Sequence, residues 1–176
     1  VVIFQAPNCP VAPPNLTIEN AEFVYNPNFE GREENYNDPG QRYFNVRIPD
    51  NVLDAVTADN WNISWTKPSK SATPQQIAEH VSIPFLKVHI GFTYRPPFIS
   101  VWEDGVETVL SVDKDRDTVK LVDALQFEKK DIVVRGRPWE GPAGCGIKAW
   151  LQTFIGVVEM DDIQRKYARM RNSDES

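Results

Sequence analysis

The chain has 176 residues, 19 basic and 25 acidic side chains, a net charge of −6, 41% hydrophobic residues and 11% aromatics. That length suits one compact domain with or without tails, and the composition is that of a globular chain, not a disordered one. No stretch approaches the ~18 uncharged apolar residues of a membrane-spanning helix, and the acidic balance argues at first against a nucleic-acid partner.

Residues 1–17 carry no charged side chain and include Pro7, Pro10, Pro13 and Pro14. They read as an extended arm that packs on something or stays loose. The start, Val1-Val2-Ile3-Phe4-Gln5, is apolar but has no basic leader and no initiating methionine. It reads as a processed or trimmed end, not a signal peptide. Residues 18–160 form the expected domain, and 161–176 a polar tail, frayed beyond about one helical turn.

Inside the domain the dominant hydrophobic period is two, as in half-buried strands. Phe44, Val46 and Ile48 alternate with Tyr43, Asn45 and Arg47. Leu86, Val88, Ile90 and Phe92 alternate with Lys87, His89 and Thr93. In the longest run, Ile147, Ala149, Leu151, Thr153, Ile155 and Val157 oppose Lys148, Trp150, Gln152, Phe154 and Val158. Hairpins are expected at Arg95-Pro96-Pro97, at Glu103-Asp104-Gly105 and at Gly141-Pro142-Ala143-Gly144. Asp50 and Asp117 are candidate caps for short helical turns carrying Val52, Leu53 and Val56, and Val119, Leu121, Val122 and Leu125. Thr73-Pro74-Gln75-Gln76 has capping-box order. Trp61, Ile63 and Trp65 share one face and read as core.

Strand, hairpin, strand, short helix, strand, long strand is the order of an OB barrel. The predicted fold is therefore mainly β, an OB-like small β-barrel with short helices, an extended N-terminal arm and a polar C-terminal tail. Its helix falls at 118–125, with the last two strands at 131–137 and 146–159. A Greek-key sandwich is the alternative.

Cys9 and Cys145 lie far apart, without a CxxC or a neighbouring histidine. They are expected as free thiols in a reducing compartment, a single disulfide being the alternative. Neither His80 nor His89 has a second ligand at metal spacing. The glycine-rich run 141–146 lacks a GK[ST] ending and leads into a strand, so it is no phosphate loop. Asp113, Asp115 and Asp117 lack the glycine and glutamate of an EF-hand. No base is nominated for Cys145. No metal, no cofactor and no enzymatic activity are expected.

What remains is a set of outward positions where aromatic and basic residues interleave: Tyr43 and Arg47; Lys87; Arg135, Arg137 and Trp139; and Lys148, Trp150 and Phe154. Rings on a sheet stack bases and cations track phosphates, which is how a small barrel holds a single strand. Pattern alone leaves packing open, with the same rings facing a second core layer or the arm. Charge resolves along the chain. Between residues 19 and 59 there are nine acidic and three basic residues, which account for the whole −6, whereas 129–154 holds five basic and two acidic. That local excess suits salt-dependent binding of a few phosphates.

The run Asn28-Phe29-Glu30-Gly31-Arg32-Glu33-Glu34-Asn35-Tyr36-Asn37-Asp38-Pro39-Gly40-Gln41-Arg42-Tyr43-Phe44 resembles the opening "NF.G....YN..G.R.F" of a family of bacteriophage single-stranded DNA-binding proteins with an OB-type fold. Ala58-Asp59-Asn60-Trp61-Asn62-Ile63 is similar to that family's "DGWNV" segment, and Gly146-Ile147-Lys148-Ala149-Trp150-Leu151-Gln152-Thr153 to its final strand "GIKAYLKT". The resemblance spans roughly 18–167. The arm has no counterpart in it, and the insertion 67–78 is longer than the family pattern.

The resemblance implies a protein that coats and protects single-stranded DNA during phage replication or recombination, in the cytoplasm of the infected host, with little sequence preference. It strengthens Arg42, Tyr43, Lys148 and Trp150 as contact residues. Self-association and contacts with phage replication or recombination proteins are further expectations, and no membrane is involved. The rival is a structural or interaction β-domain, such as a virion or assembly component, in which the same rings meet protein.

Overall fold

A computed structural model describes residues 15–160, together with Ile163, Tyr167 and Met170. The elements in chain order are β1 (Asn15–Ile18), β2 (Arg42–Arg47), α1 (Leu53–Ala58), β3 (Ile63–Trp65), α2 (Pro74–Glu79), β4 (Pro84–Ile90), β5 (Phe98–Glu103), β6 (Val106–Leu110), a 3₁₀ helix (Val119–Ala124), β7 (Phe127–Gly141) and β8 (Gly144–Val158). All eight strands belong to one sheet, which removes the two-sheet sandwich.

β8 is the spine. Along one edge it runs antiparallel to β7 from Gly144 opposite Gly141 to Val158 opposite Phe127. Its other edge pairs in parallel with β4, where Trp150 faces His89, and further on with β5, where Thr153 faces Phe98. β2 lies antiparallel on β4, with Tyr43 opposite His89. The N-terminal stretch links the two outer strands. β1 lies along β7, the Ala21 N–H donates to the Lys130 carbonyl, and Glu22, Val24 and Asn28 then exchange backbone hydrogen bonds with Arg47, Asn45 and Tyr43. The sheet is thereby rolled around one core, a mainly β, OB-like body.

The inner face is apolar because the two-residue alternation puts it there. Phe44, Val46, Leu86, Val88, Val134, Ile147 and Ala149 are fully buried, and Val119 and Val122 of the 3₁₀ helix plug the same core. Phe23, Phe29, Phe44 and Phe154 form an aromatic cluster with centroids 5.3 to 6.4 Å apart. Each fully buried ring contributes about 1.5–3 kcal/mol by leaving water.

Several sequence expectations change. The β5–β6 hairpin forms with Asp104 and Gly105 at φ 54° and 72°, the left-handed pair that a two-residue turn requires. The β7–β8 hairpin forms around Pro142-Ala143. Arg95-Pro96-Pro97 is no hairpin. β4 and β5 both run parallel to β8, so this stretch carries the chain from one part of β8 to the next. Asp50 caps nothing: α1 begins after Val52 without a side-chain cap. α2 does have the expected box, with Thr73 accepting from the Gln76 N–H and Gln76 accepting from the Thr73 N–H. Trp61 is core, but Trp65, near the end of a short edge strand, is 49% exposed.

The arm boundary also moves, since residues 15–17 are already strand; 1–14 lie outside the described residues. Cys145 is disulfide-bonded, which overturns the expectation of free thiols, and Cys9 falls outside the described residues. In the tail, Ile163, Tyr167 and Met170 are helical, beyond the single turn expected.

The long alternation in β8 breaks once. Val133 faces Thr153 while its neighbour Val134 faces Leu151, so Gln152 is an extra residue without a partner in β7. A one-residue bulge exchanges the two faces beyond it. Phe154, expected on the outer face with Trp150, therefore points inward and is fully buried in the aromatic cluster.

Candidate nucleic-acid interface

The outer face of the sheet carries its side chains in register. Tyr43 on β2 faces His89 on β4, His89 faces Trp150 on β8, and Trp150 faces Arg135 on β7. Four strands thus present one continuous row. Two residues away on each strand, Asn45 faces Lys87 and Lys148 faces Arg137. Further along, Arg47 faces Phe85 and Trp139 faces Gly146.

Contacts within this face are specific. The His89 and Trp150 rings lie 5.3 Å apart, and Lys87 Nζ sits 4.4 Å from the centre of the Tyr43 ring. Trp150 also lies against Gly91, where an added Cβ would be 3.0 Å from the indole. Its Nε1 is buried with no hydrogen-bond partner among the described residues. Trp139 Nε1 donates to Asn62 Oδ1 at 2.9 Å, which holds that indole across Gly146. Tyr43 Oη donates to Glu34 Oε1 at 2.9 Å, and Asn28 Nδ2 donates to the same oxygen at 2.6 Å. The acidic loop before β2 thereby borders the row at its Tyr43 end.

Two titrations report the environment. Burial, then the nearby charges of Lys87 and Lys148, lower the His89 imidazole to about 4, so it is neutral at pH 7. Burial and the Glu34 carboxylate raise the Tyr43 phenol. Neutral rings flanked by cations suit a ligand that is flat and anionic at once.

Of the sequence candidates, Tyr43, Arg47, Lys87, Arg135, Arg137, Trp139, Lys148 and Trp150 share this face. Arg47 is an exposed pair with Glu22 at 3.5 Å. Arg42 and Phe154 are not on it. Arg42 lies on the same side of β2 as Phe44, and its guanidinium closes the end of the core. It pairs with Asp117 at 2.8 Å, donates to the Phe29 carbonyl at 2.7 Å and covers the Phe92 ring. Burial pushes the Asp117 carboxyl up, but the Arg42 hydrogen bond and charge outweigh it and hold the group below its ordinary value. Arg42 is thus a structural clamp at the end of the core, apart from the outer row.

His89 is the residue that sequence reasoning missed. The alternation of β4 places it outward beside Lys87, but a histidine without metal partners carries no nucleic-acid signal of its own. No group of three or more His, Cys, Asp or Glu among the described residues could hold a metal ion, and no helix among them is long and apolar enough to cross a membrane.

A rolled sheet with an aromatic and basic outer face defines a class, the small β-barrel nucleic-acid-binding domains. Within it, the chain belongs to the family described as "Putative phage ssDNA-binding domain", which it matches over residues 9–176. Among solved structures it is similar to the single-stranded DNA-binding protein from bacteriophage Enc34, at 11% identity and TM-score 0.45, covering 84% of this chain and 82% of that one. The same protein in complex with ssDNA gives 11% identity and TM-score 0.44 over 84% and 88% of the two chains. The single-stranded DNA-binding protein gp2.5 encoded by bacteriophage T7 gives 11% and 0.41 over 85% and 89%. No curated protein matches the sequence.

Proposed function

We propose that the outer face centred on the Tyr43, His89, Trp150 and Arg135 row binds and protects single-stranded DNA during phage DNA replication or recombination. The observation that carries this reading is the register itself, which lines two aromatic rings and an imidazole across neighbouring strands between Lys87, Lys148, Arg135 and Arg137. Bases stack on Tyr43 and Trp150, the cations follow the phosphates, and no bond is made or broken. Sequence preference is slight because every base offers a ring face. Residues 15–160 form the binding body, which works in the cytoplasm of the infected host as a non-enzymatic accessory protein.

Tryptophan fluorescence titrated with poly-dT and with duplex DNA tests this. Quenching by the single strand should weaken with salt, with a log–log slope of about −3 if four phosphates are neutralised. Trp150→Ala should lower affinity about 5- to 100-fold, the loss of one stacked base, with an unchanged far-UV circular dichroism spectrum. Normal binding by that variant, or no response to poly-dT at low salt, refutes the placement of the interface.

A further inference from the structure

We infer that the single-strand path continues along β4 to a second stacking platform made by Tyr25 and Phe85, an extension that rests on the single-strand reading above. Phe85, Lys87 and His89 alternate with buried Pro84, Leu86 and Val88, so all three face outward. From His89 to Phe85 is four residues, about 13 Å along the strand. Lys87 stands midway, and Arg47 lies directly opposite Phe85. A strand laid along β4 therefore meets ring, cation, ring and cation in turn.

Tyr25 completes the platform. Its ring meets Phe85 at 5.7 Å and 88°, yet the residue remains 61% exposed. Its backbone sits at φ 63°, in the left-handed region that a bulky side chain rarely adopts and that costs on the order of 1 kcal/mol or more. So open a ring recovers little of that cost by burial. Its faces are available instead to a planar ligand. The neighbouring Arg47 is held by Glu22 at 3.5 Å in an exposed pair, which a phosphate can replace at small cost. A protein partner fits less well, because the centre of a protein interface is depleted in charge, and here cations alternate with the rings.

Fluorescence anisotropy of the intact chain with labelled oligo-dT of about 5 and about 15 nucleotides, both within the range of site sizes for such barrels, separates the two stations. Tyr25→Ala should weaken the longer oligonucleotide about five-fold or more and the shorter one less than two-fold, and Tyr25→Phe should bind like the unmodified chain. Phe85→Leu, which keeps apolar volume for the fold, should repeat the length-dependent loss. Unchanged binding of the longer oligonucleotide by Tyr25→Ala overturns the inference, as does equal weakening at both lengths. Trp150→Ala keeps the two readings apart. If it weakens both lengths while Tyr25→Ala weakens neither, the second platform fails and the central row stands; if Trp150→Ala binds both normally, the central row fails whatever Tyr25 does.

Discussion

Acidification tests the environment of His89, with His89→Gln as the control. Its imidazole is lowered from 6.5 to about 4 by burial and by the charges of Lys87 and Lys148. Between those values the unfolded chain binds more protons than the folded one. Stability should therefore fall as the pH drops from about 6.5 towards 4, with the loss complete below about 4. The full gap corresponds to roughly 3 kcal/mol, and the partly open ring, screened by solvent, reduces this to about 1–2 kcal/mol. For a chain of this size that is a drop of roughly 2–8 °C in Tm. Urea unfolding of both proteins at intervals from pH 7 to 4 gives the difference curve, in which titrating carboxylates common to both cancel. Parallel curves across the window refute the account of His89. Bound oligo-dT adds a second reading. Phosphates beside Lys87 and Lys148 offset their charge, so the imidazole should titrate at higher pH in the complex, observed by NMR. An unmoved titration means that those lysines do not meet phosphate.

Arg42→Ala should destabilise the fold by about 2–4 kcal/mol, since it strands the Asp117 carboxylate in a partly buried pair. The folded fraction should bind oligo-dT within two-fold of the unmodified chain; weakened binding with an unchanged melting temperature would return Arg42 to the interface. Gly146→Ala places a Cβ against Asn62 Oδ1 and 2.9 Å from Trp139 Nε1. It should part that hydrogen bond and cost about 1–3 kcal/mol. An unaltered melting curve and Trp139 fluorescence count against the contact.

Inner and outer faces were legible wherever alternation ran unbroken. Phe44 and Val46, and Leu86 and Val88, went inward, while Tyr43, Lys87 and His89 went outward, because period two is a local property of a strand. The row itself was not legible. Whether Tyr43, His89 and Trp150 meet depends on register between strands remote in sequence, which no short window encodes. The Arg42 clamp was hidden for the same reason, since its partner Asp117 lies 75 residues away. The Phe23 and Phe29 rings come from the irregular stretch before β2, outside any periodic pattern, yet they complete the aromatic cluster. The tight hairpin turns and the α2 box were readable because their chemistry is carried by adjacent residues.

The unpaired Gln152 divides the work of β8 between two tasks. Upstream of it, odd positions build the core and even ones meet solvent; downstream the parity is reversed, and Phe154 is free to join the rings from the N-terminal stretch. Removing that one residue would restore a single parity along the strand. Thr153 would follow Leu151 on the outward side opposite Val133, and Phe154 would keep both its inward phase and its pairing with Ile132, in a ladder without a bulge. What the extra residue adds is therefore local: an outward amide on β8 with no partner on β7, at the point where the row of Trp150 gives way to the strand end that carries Phe154.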